Sequence, residues 1–243
     1  MRKVKTALQL FGVCFASLAA GYLLLLCFPQ PLFAYHLTWS NLTLYCDDPI
    51  AANAPAVLQD AQRRLVLCPL YAGRPCENIF LCNHDWRYKF FANRHSGAGG
   101  FAYACGPQNV FLRKADVAQN TLFTRKGASS GPDRPLSYFM AHEITHNLTS
   151  RDIGLFAFLR LPAWIQEGYA DYVGKGGDFN FKKNLALFKK DDPALNPSAS
   201  GLYLRYHLLT AYLLDRKKIS VQALLTGSFD RVLLEKELRD LPG

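Results

Sequence analysis

The sequence predicts an α+β fold: a small mixed sheet with one early helix, then a helix bearing a histidine motif, then a helical carboxyl-terminal half. Three observations predict it. Short apolar stretches bounded by Gly, Pro, Asn and Asp fill the chain up to Arg113. From Pro135 onward, apolar residues recur at three- and four-residue intervals. After His36 no repeat, low-complexity tract or Pro/Gly/Ser-rich linker separates two cores, so residues 36–243 are expected to form one domain.

At the amino terminus, Arg2, Lys3 and Lys5 precede an uncharged apolar run from Ala7 to Phe28. About 20 apolar residues match the hydrocarbon thickness of a bilayer, whereas the apolar region of a cleaved signal peptide is roughly 7 to 15 residues long. The length favours a retained transmembrane anchor over residues 1–35. The alternative is a long signal peptide cut after Ala34, against which stands the bulk of Leu32 at the step before cleavage. Either way the basic flank stays in the cytoplasm and the domain is extracytoplasmic, with the periplasm as the expected compartment.

Leu42 to Tyr45 alternates as a short strand, Pro55 to Leu67 places Val57, Leu58, Ala61 and Leu65 on one helical face, and Asn78 to Cys82 reads as a second strand. After the flexible Gly97-Ala-Gly-Gly100, the pieces Phe101 to Cys105 and Asn109 to Arg113 flank a Gly106-Pro-Gln108 turn as a hairpin. Leu136, Phe139, Met140, Ile144 and Leu148 then trace a helix opened by Pro135 and ended before Gly154. A second helix runs from Pro162 to about Val173 and closes at Gly174-Lys-Gly-Gly177. Further helices are expected over 181–190, 201–217, 221–225 and 230–241.

The net charge of +9 is spread over the membrane flank and short pairs such as Lys182-Lys183 and Lys189-Lys190. No interleaving of basic and aromatic residues points to nucleic acid. Of seven cysteines, Cys14 and Cys27 lie in the apolar run. Cys46, Cys68, Cys76, Cys82 and Cys105 remain for an exported domain, where one or two disulfides are expected and buried thiols are the alternative. Cys76, Cys82 and His84 lack the Cys-x-x-Cys spacing of a structural zinc site.

The chemistry concentrates in His142-Glu143-Ile-Thr-His146. Histidines at i and i+4 share one helical face and can share an ion, while Glu143 is rotated about 100° from His142 toward the open side as a base. A catalytic zinc keeps three protein ligands and an open position, so a third ligand must come from elsewhere. The best candidate is Glu167, in Trp164-Ile-Gln-Glu-Gly-Tyr-Ala-Asp-Tyr172 on the following helix. Asp171, one turn beyond, is placed to accept the free ring N–H of a ligand histidine and fix its tautomer. One zinc ion is the expected cofactor.

These two blocks together resemble the gluzincins, the clan of thermolysin and aminopeptidase N, and more narrowly the membrane-anchored peptidase MA-like proteins. The resemblance covers about Arg134 to Gly174 and implies a zincin-like domain. It implies that His142, His146 and Glu167 bind zinc, that Glu143 activates water and that Asp171 orients a histidine. It also implies an edge strand that holds substrate, for which Asn109, Val110, Phe111 and Leu112 are the candidates. It implies an oxyanion donor too, for which the segment Gly201 to His207 offers Tyr203, Tyr206 and His207. Tyr206 or His207 is the expected donor; core packing is the alternative for these aromatics. The apolar connection Ile153 to Leu161 is expected to be buried beneath the site, with a substrate wall or a membrane-facing lip as the alternative.

The expected activity is hydrolysis of an extracytoplasmic peptide or protein by a membrane-anchored zinc metallopeptidase. Two other readings remain: a zinc amidase acting on cell-wall peptides, and a non-catalytic, zinc-stabilised binding module.

Overall fold

The computed structural model describes residues 2–72, 76–104 and 106–242. It has an α+β fold in which a sheet and its flanking helices precede a helical half. Helix α1 (Arg2–Cys27) leads into a five-stranded mixed sheet made of β1 (Tyr35–Trp39), β2 (Leu42–Cys46), β3 (Glu77–Cys82), β4 (Gly100–Ala102) and β5 (Val110–Arg113). The strand order is β1-β2-β3-β5-β4, with β2, β3 and β5 parallel and an antiparallel strand at each edge. Between strands lie α2 (Ala54–Leu65) and α3 (Asp85–Ala92). A small ribbon of β6 (Ala115–Asp116) and β7 (Thr121–Leu122) precedes the helices.

The helical half comprises α4 (Leu136–Ile153), α5 (Leu155–Arg160), α6 (Ala163–Lys175), α7 (Phe181–Lys189), α8 (Pro197–Ser200), α9 (Leu204–Ala211), α10 (Val221–Thr226) and α11 (Arg231–Asp240). A π-helical turn, Tyr212–Arg216, continues α9. The elements with clear periodicity lie within a few residues of their expected places. Strand β1 and helix α3 were not expected. Helix α3 buries Tyr88, Phe91 and Ala92 at the helical spacing, but its short run of mixed aromatic and charged residues carries little aliphatic rhythm.

Alternation along the parallel strands divides the core in two. Leu42, Leu44, Cys46, Ile79, Leu81, Val110 and Leu112 join α2, α4 and α6 in the larger core. Phe80, Cys82 and Phe111 face the other way, against Phe33, Tyr88 and Phe91. This alternation also keeps Cys46 and Cys82 apart, and neither forms a disulfide. Cys46 pairs in register with Leu81, so Cys82 is one residue further along and points to the opposite face. Cys46, Cys76 and Cys82 are free thiols, Cys68 shares a 3.1 Å hydrogen bond with the Tyr169 hydroxyl, and Cys105 lies outside the described residues.

Buried polar contacts fix α2, α4 and α6 against one another. Arg64 of α2 donates to the carbonyls of Gly174 and Lys175 at the end of α6, at 2.7 and 3.1 Å, where a cation also complements the helix dipole. Its neighbour Asp60 binds Arg64 and accepts from Ser137 Oγ at the start of α4. Helix α9 meets α6 at Gly168, where an added Cβ would stand 2.7 Å from the Tyr206 carbonyl oxygen, so only glycine permits this approach. The helices that carry the motif residues are thereby held in one fixed arrangement.

Candidate metal centre

His142 and His146 stand one turn apart on α4, with their Nε2 atoms 3.3 Å from each other. Glu167 of α6 brings Oε2 to 3.3 Å from the first and 3.8 Å from the second. Zinc binds such nitrogens and oxygens at about 2.0–2.1 Å, which sets tetrahedral ligand atoms about 3.3–3.4 Å apart. Two edges of the triad have this length and the third, His146 to Glu167, is about 0.4 Å longer, and two neutral imidazoles with one carboxylate are a donor set that suits zinc. The residues fit the metal.

The charges within the triad are strongly coupled. Burial pushes the His142 pKa down, but its hydrogen bond to Glu167 and the charges of Glu143, Glu167 and Asp171 outweigh that and hold it above the ordinary value. Burial lowers His146 to about 4. Burial raises Glu167, but the His142 hydrogen bond and both histidine charges overcome it and bring the carboxylate to about 2. Glu143, unlike Glu167, has no hydrogen bond from a histidine, and its burial brings it up to about 7.

Behind His142 the wiring differs from expectation. The carboxylate of Asp171 binds the Tyr138 hydroxyl at 2.5 Å through Oδ1 and His207 Nδ1 at 2.9 Å through Oδ2. Tyr138 Oη is 3.4 Å from His142 Nδ1. Because Tyr138 donates to Asp171, its oxygen is free to accept from the His142 Nδ1–H, which leaves Nε2 unprotonated and aimed at the triad. Asp171 therefore orients the ligand histidine through a tyrosine rather than directly. Tyr138 lies one turn before His142 on α4, and that spacing is the signal that could have found it.

Neither expected oxyanion donor reaches the site. His207 is buried, bonded to Asp171 and stacked on Phe179 with ring centroids 3.6 Å apart. Tyr206 stacks on Tyr203 and does not line the cleft. Tyr203 is the one that does: it stacks on His142 with ring centroids 5.8 Å apart and hydrogen-bonds Glu167. Burial pushes its phenol pKa up, so the hydroxyl keeps its proton. The helix begins only at Leu204, and this late start puts Tyr203 ahead of α9 and turns the other two inward or away.

The triad opens onto a cleft of about 1010 Å³. One wall is β4, not the expected strand. Val110, Phe111 and Leu112 are buried and paired on both sides, with β3 and with β4, so their backbone cannot take another strand. Asn109 is occupied as well, donating to the carbonyls of Leu26 and Cys27 at the end of α1. Their uninterrupted apolar run is the mark of an interior parallel strand. Gly99 and Tyr103 bond toward β5, so by alternation the backbone groups of Gly100 and Ala102 face the free edge. At Gly100 an added Cβ would lie 2.7 Å from Glu143 Cγ and Oε1, so this glycine lets the acid lie directly against the strand.

The opposite wall includes Leu155, Phe158 and Leu159. The connection Ile153 to Leu161 is thus a short helix rather than a buried loop: Phe158 is buried, while Phe156 and Leu159 are 77% and 65% exposed. No protein-family model matches the chain, and no curated protein matches it.

Proposed function

We propose that the chain is a membrane-anchored zinc metallopeptidase of the gluzincin type, hydrolysing peptide bonds in a peptide or protein outside the cytoplasm. The observation that carries this reading is the triangle of His142, His146 and Glu167, with ligand atoms 3.3, 3.3 and 3.8 Å apart and Glu143 opening onto the same cleft. A purely structural zinc site has four protein ligands and no use for an acid beside an open position.

A zinc ion held by the triad would supply the electrophile that polarises a peptide carbonyl and acidifies an attacking water. Glu143, which burial holds well above an ordinary carboxylate, takes a proton from an attacking water in the cleft and passes it to the leaving amine. The free edge of β4 holds the substrate extended by strand addition. Tyr203 keeps its proton and, on turning its hydroxyl from Glu167 toward the cleft, donates to the developing oxyanion. Tyr138, Asp171 and His207 keep the His142 ring in one tautomer and orientation.

The location is supported by the amino-terminal helix, whose segment Gln9–Cys27 has the length and hydropathy of a membrane span. With Arg2, Lys3 and Lys5 on the cytoplasmic side, the domain lies across the membrane from them. The test is an unbiased peptide library digested by the full chain and by Glu143→Gln. The substitution is expected to retain metal and lower turnover roughly 10²- to 10⁴-fold. Undiminished cleavage by Glu143→Gln overturns the assignment.

A further inference from the structure

The two ends of the cleft have opposite chemistry. At the end beside His146, whose ring lies 6.1 Å from that of Phe158, the lining is Leu155, Phe158 and Leu159 of α5. At the other end, beyond Phe139 and Gly99, it is arginine: Arg94, Arg113, Arg125 and Arg134 all line the cleft. The carboxylates in the lining are Glu143 and Glu167, and both belong to the metal chemistry.

Two of these arginines are already engaged. Arg113 is buried over the Tyr88 ring and stands 3.8 Å from Asp85, and Arg94 donates to its neighbour His95. Arg125 and Arg134 form no ion pair among the described residues. Arg134 immediately precedes Pro135 at the start of α4; it lies over the Phe139 ring and makes one 3.3 Å hydrogen bond, to the Gly201 carbonyl. Arg125 is exposed on the loop after β7, which is closed by hydrogen bonds between Thr124 and Ala128 and between Gly127 and Thr124. A guanidinium offers a fixed fork of five donors matched to a carboxylate. Two such forks at one end of a cleft, with no described carboxylate at ion-pair distance and only Asp85, already shared by Lys89 and Arg113, acting on Arg125 from further off, call for an acidic ligand.

The strand geometry says which part of the ligand is acidic. Strand β4 runs from Gly99, against Phe139, to Ala104, which accepts from Ser150 Oγ at 2.8 Å, and so it follows α4 in direction. A peptide added antiparallel to the free edge, the more stable pairing, runs the other way. Its amino-terminal half lies over the apolar wall and its carboxyl-terminal half over the arginines.

We propose that the cleft takes peptides with carboxylates on the carboxyl-terminal side of the scissile bond, and that Arg125 and Arg134 are the specificity-determining residues that bind them. This rests on the peptidase reading for the position of the scissile bond, but binding can be tested without hydrolysis.

The experiment uses the full chain carrying Glu143→Gln, loaded with zinc in detergent, and fluorescent peptides of one length. Each has an apolar amino-terminal half, and its carboxyl-terminal half carries Glu, Gln or Lys. By anisotropy the Glu peptide is expected to bind about tenfold more tightly than the Gln peptide, an advantage that shrinks with added salt. Arg125→Gln with Arg134→Gln removes that advantage and leaves the Gln peptide unaffected, while the paired Arg→Lys variant keeps most of it. Equal binding of Glu and Gln peptides, or a preference that survives in the Gln variant, overturns the proposal. The same peptides given to the chain with Glu143 intact separate the two claims. Acidic preference in binding without Glu143-dependent cleavage supports this specificity and removes the peptidase reading. Cleavage without acidic preference does the reverse.

Discussion

Ile79 and Leu81 of β3 point toward α2 and α4, whereas Phe80 and Cys82 point toward α3, and the two faces so made differ in chemistry. The first face is aliphatic and supports a helix layer laced with buried polar groups: Arg64, Asn147, His142, Glu143, Asp171 and His207 all lie within it or behind it. The second is an aromatic stack. Phe111 sits 4.5 Å from Phe91 and 5.2 Å from Phe80, ring centroid to centroid, and Phe33 closes the pile against Phe80 at 5.1 Å. The end of α1 docks on this side, where Tyr22 donates to the Phe90 carbonyl and Leu26 packs on the cluster. One sheet thus joins the amino-terminal helix to the candidate metal centre. Each side is expected to fail in its own way, the aromatic face in stability and the polar face in metal binding.

The largest expected effect breaks the aromatic face. Phe111→Ala removes the ring at the centre of the stack and is expected to cost about 3–5 kcal/mol of stability. Chemical denaturation of the full chain in detergent would read it, and zinc affinity of the folded fraction should stay unchanged. If zinc affinity falls in proportion, the two faces are one unit and the comparison fails.

The division was only partly legible beforehand. Helix periodicity and the His142 to His146 spacing are local, and they locate α4, α6 and the two candidate histidines without tertiary information, while Glu167 is a candidate from the Trp164 to Tyr172 block. The edge of the sheet is not local: the hairpin of β4 with β5 is legible from the Gly106-Pro-Gln108 turn, but β4 is left at the edge because β5 also pairs with β3, and only the apolar run Val110 to Leu112 hinted at that. Tyr203 displaced Tyr206 and His207 because α9 starts at Leu204, and a boundary shift of a few residues turns a side chain to another face. Asp171 was placed correctly on α6, yet its partner depended on Tyr138 being inserted between it and His142.

Next in size is Tyr138→Phe, which deletes the hydroxyl between His142 and Asp171 and keeps the ring. Zinc affinity is expected to drop about 10- to 100-fold, as for other residues that orient a ligand histidine. Competition against a chelator would measure it, and affinity equal to the unsubstituted chain would show that Tyr138 only packs. Restoring the bond with no other change is impossible by substitution, so the His142 ring tautomer, read by nitrogen NMR, gives the independent check.

The pH dependence of zinc binding is expected to be of the order of tenfold per pH unit below the raised pKa of His142. The sign follows from the groups. His142 holds its proton to higher pH than an ordinary histidine and must release it to bind metal, so affinity falls as pH falls through that value. Glu167, at about 2, stays ionised throughout and contributes no slope above that range. A flat profile from pH 5 to 8 would contradict the coupling between His142 and Glu167.

The smallest effect sharpens the anchoring side. Tyr22→Phe removes one hydrogen bond to the Phe90 carbonyl and is expected to cost about 0.5–1.5 kcal/mol, leaving peptide cleavage by the assembled chain unchanged. Hydrogen exchange at α3 would report looser docking of α1, and altered turnover would show that the aromatic face reaches the site.

The central claim is that His142, His146 and Glu167 form a three-ligand zinc centre with Glu143 outside the ligand set. Elemental analysis of the purified full chain, dialysed against excess zinc and then against buffer, tests it most directly. One zinc per chain is expected, unchanged in Glu143→Gln and absent in Glu167→Ala. A chain that retains no zinc, or one whose zinc survives Glu167→Ala and leaves with Glu143→Gln, would contradict it.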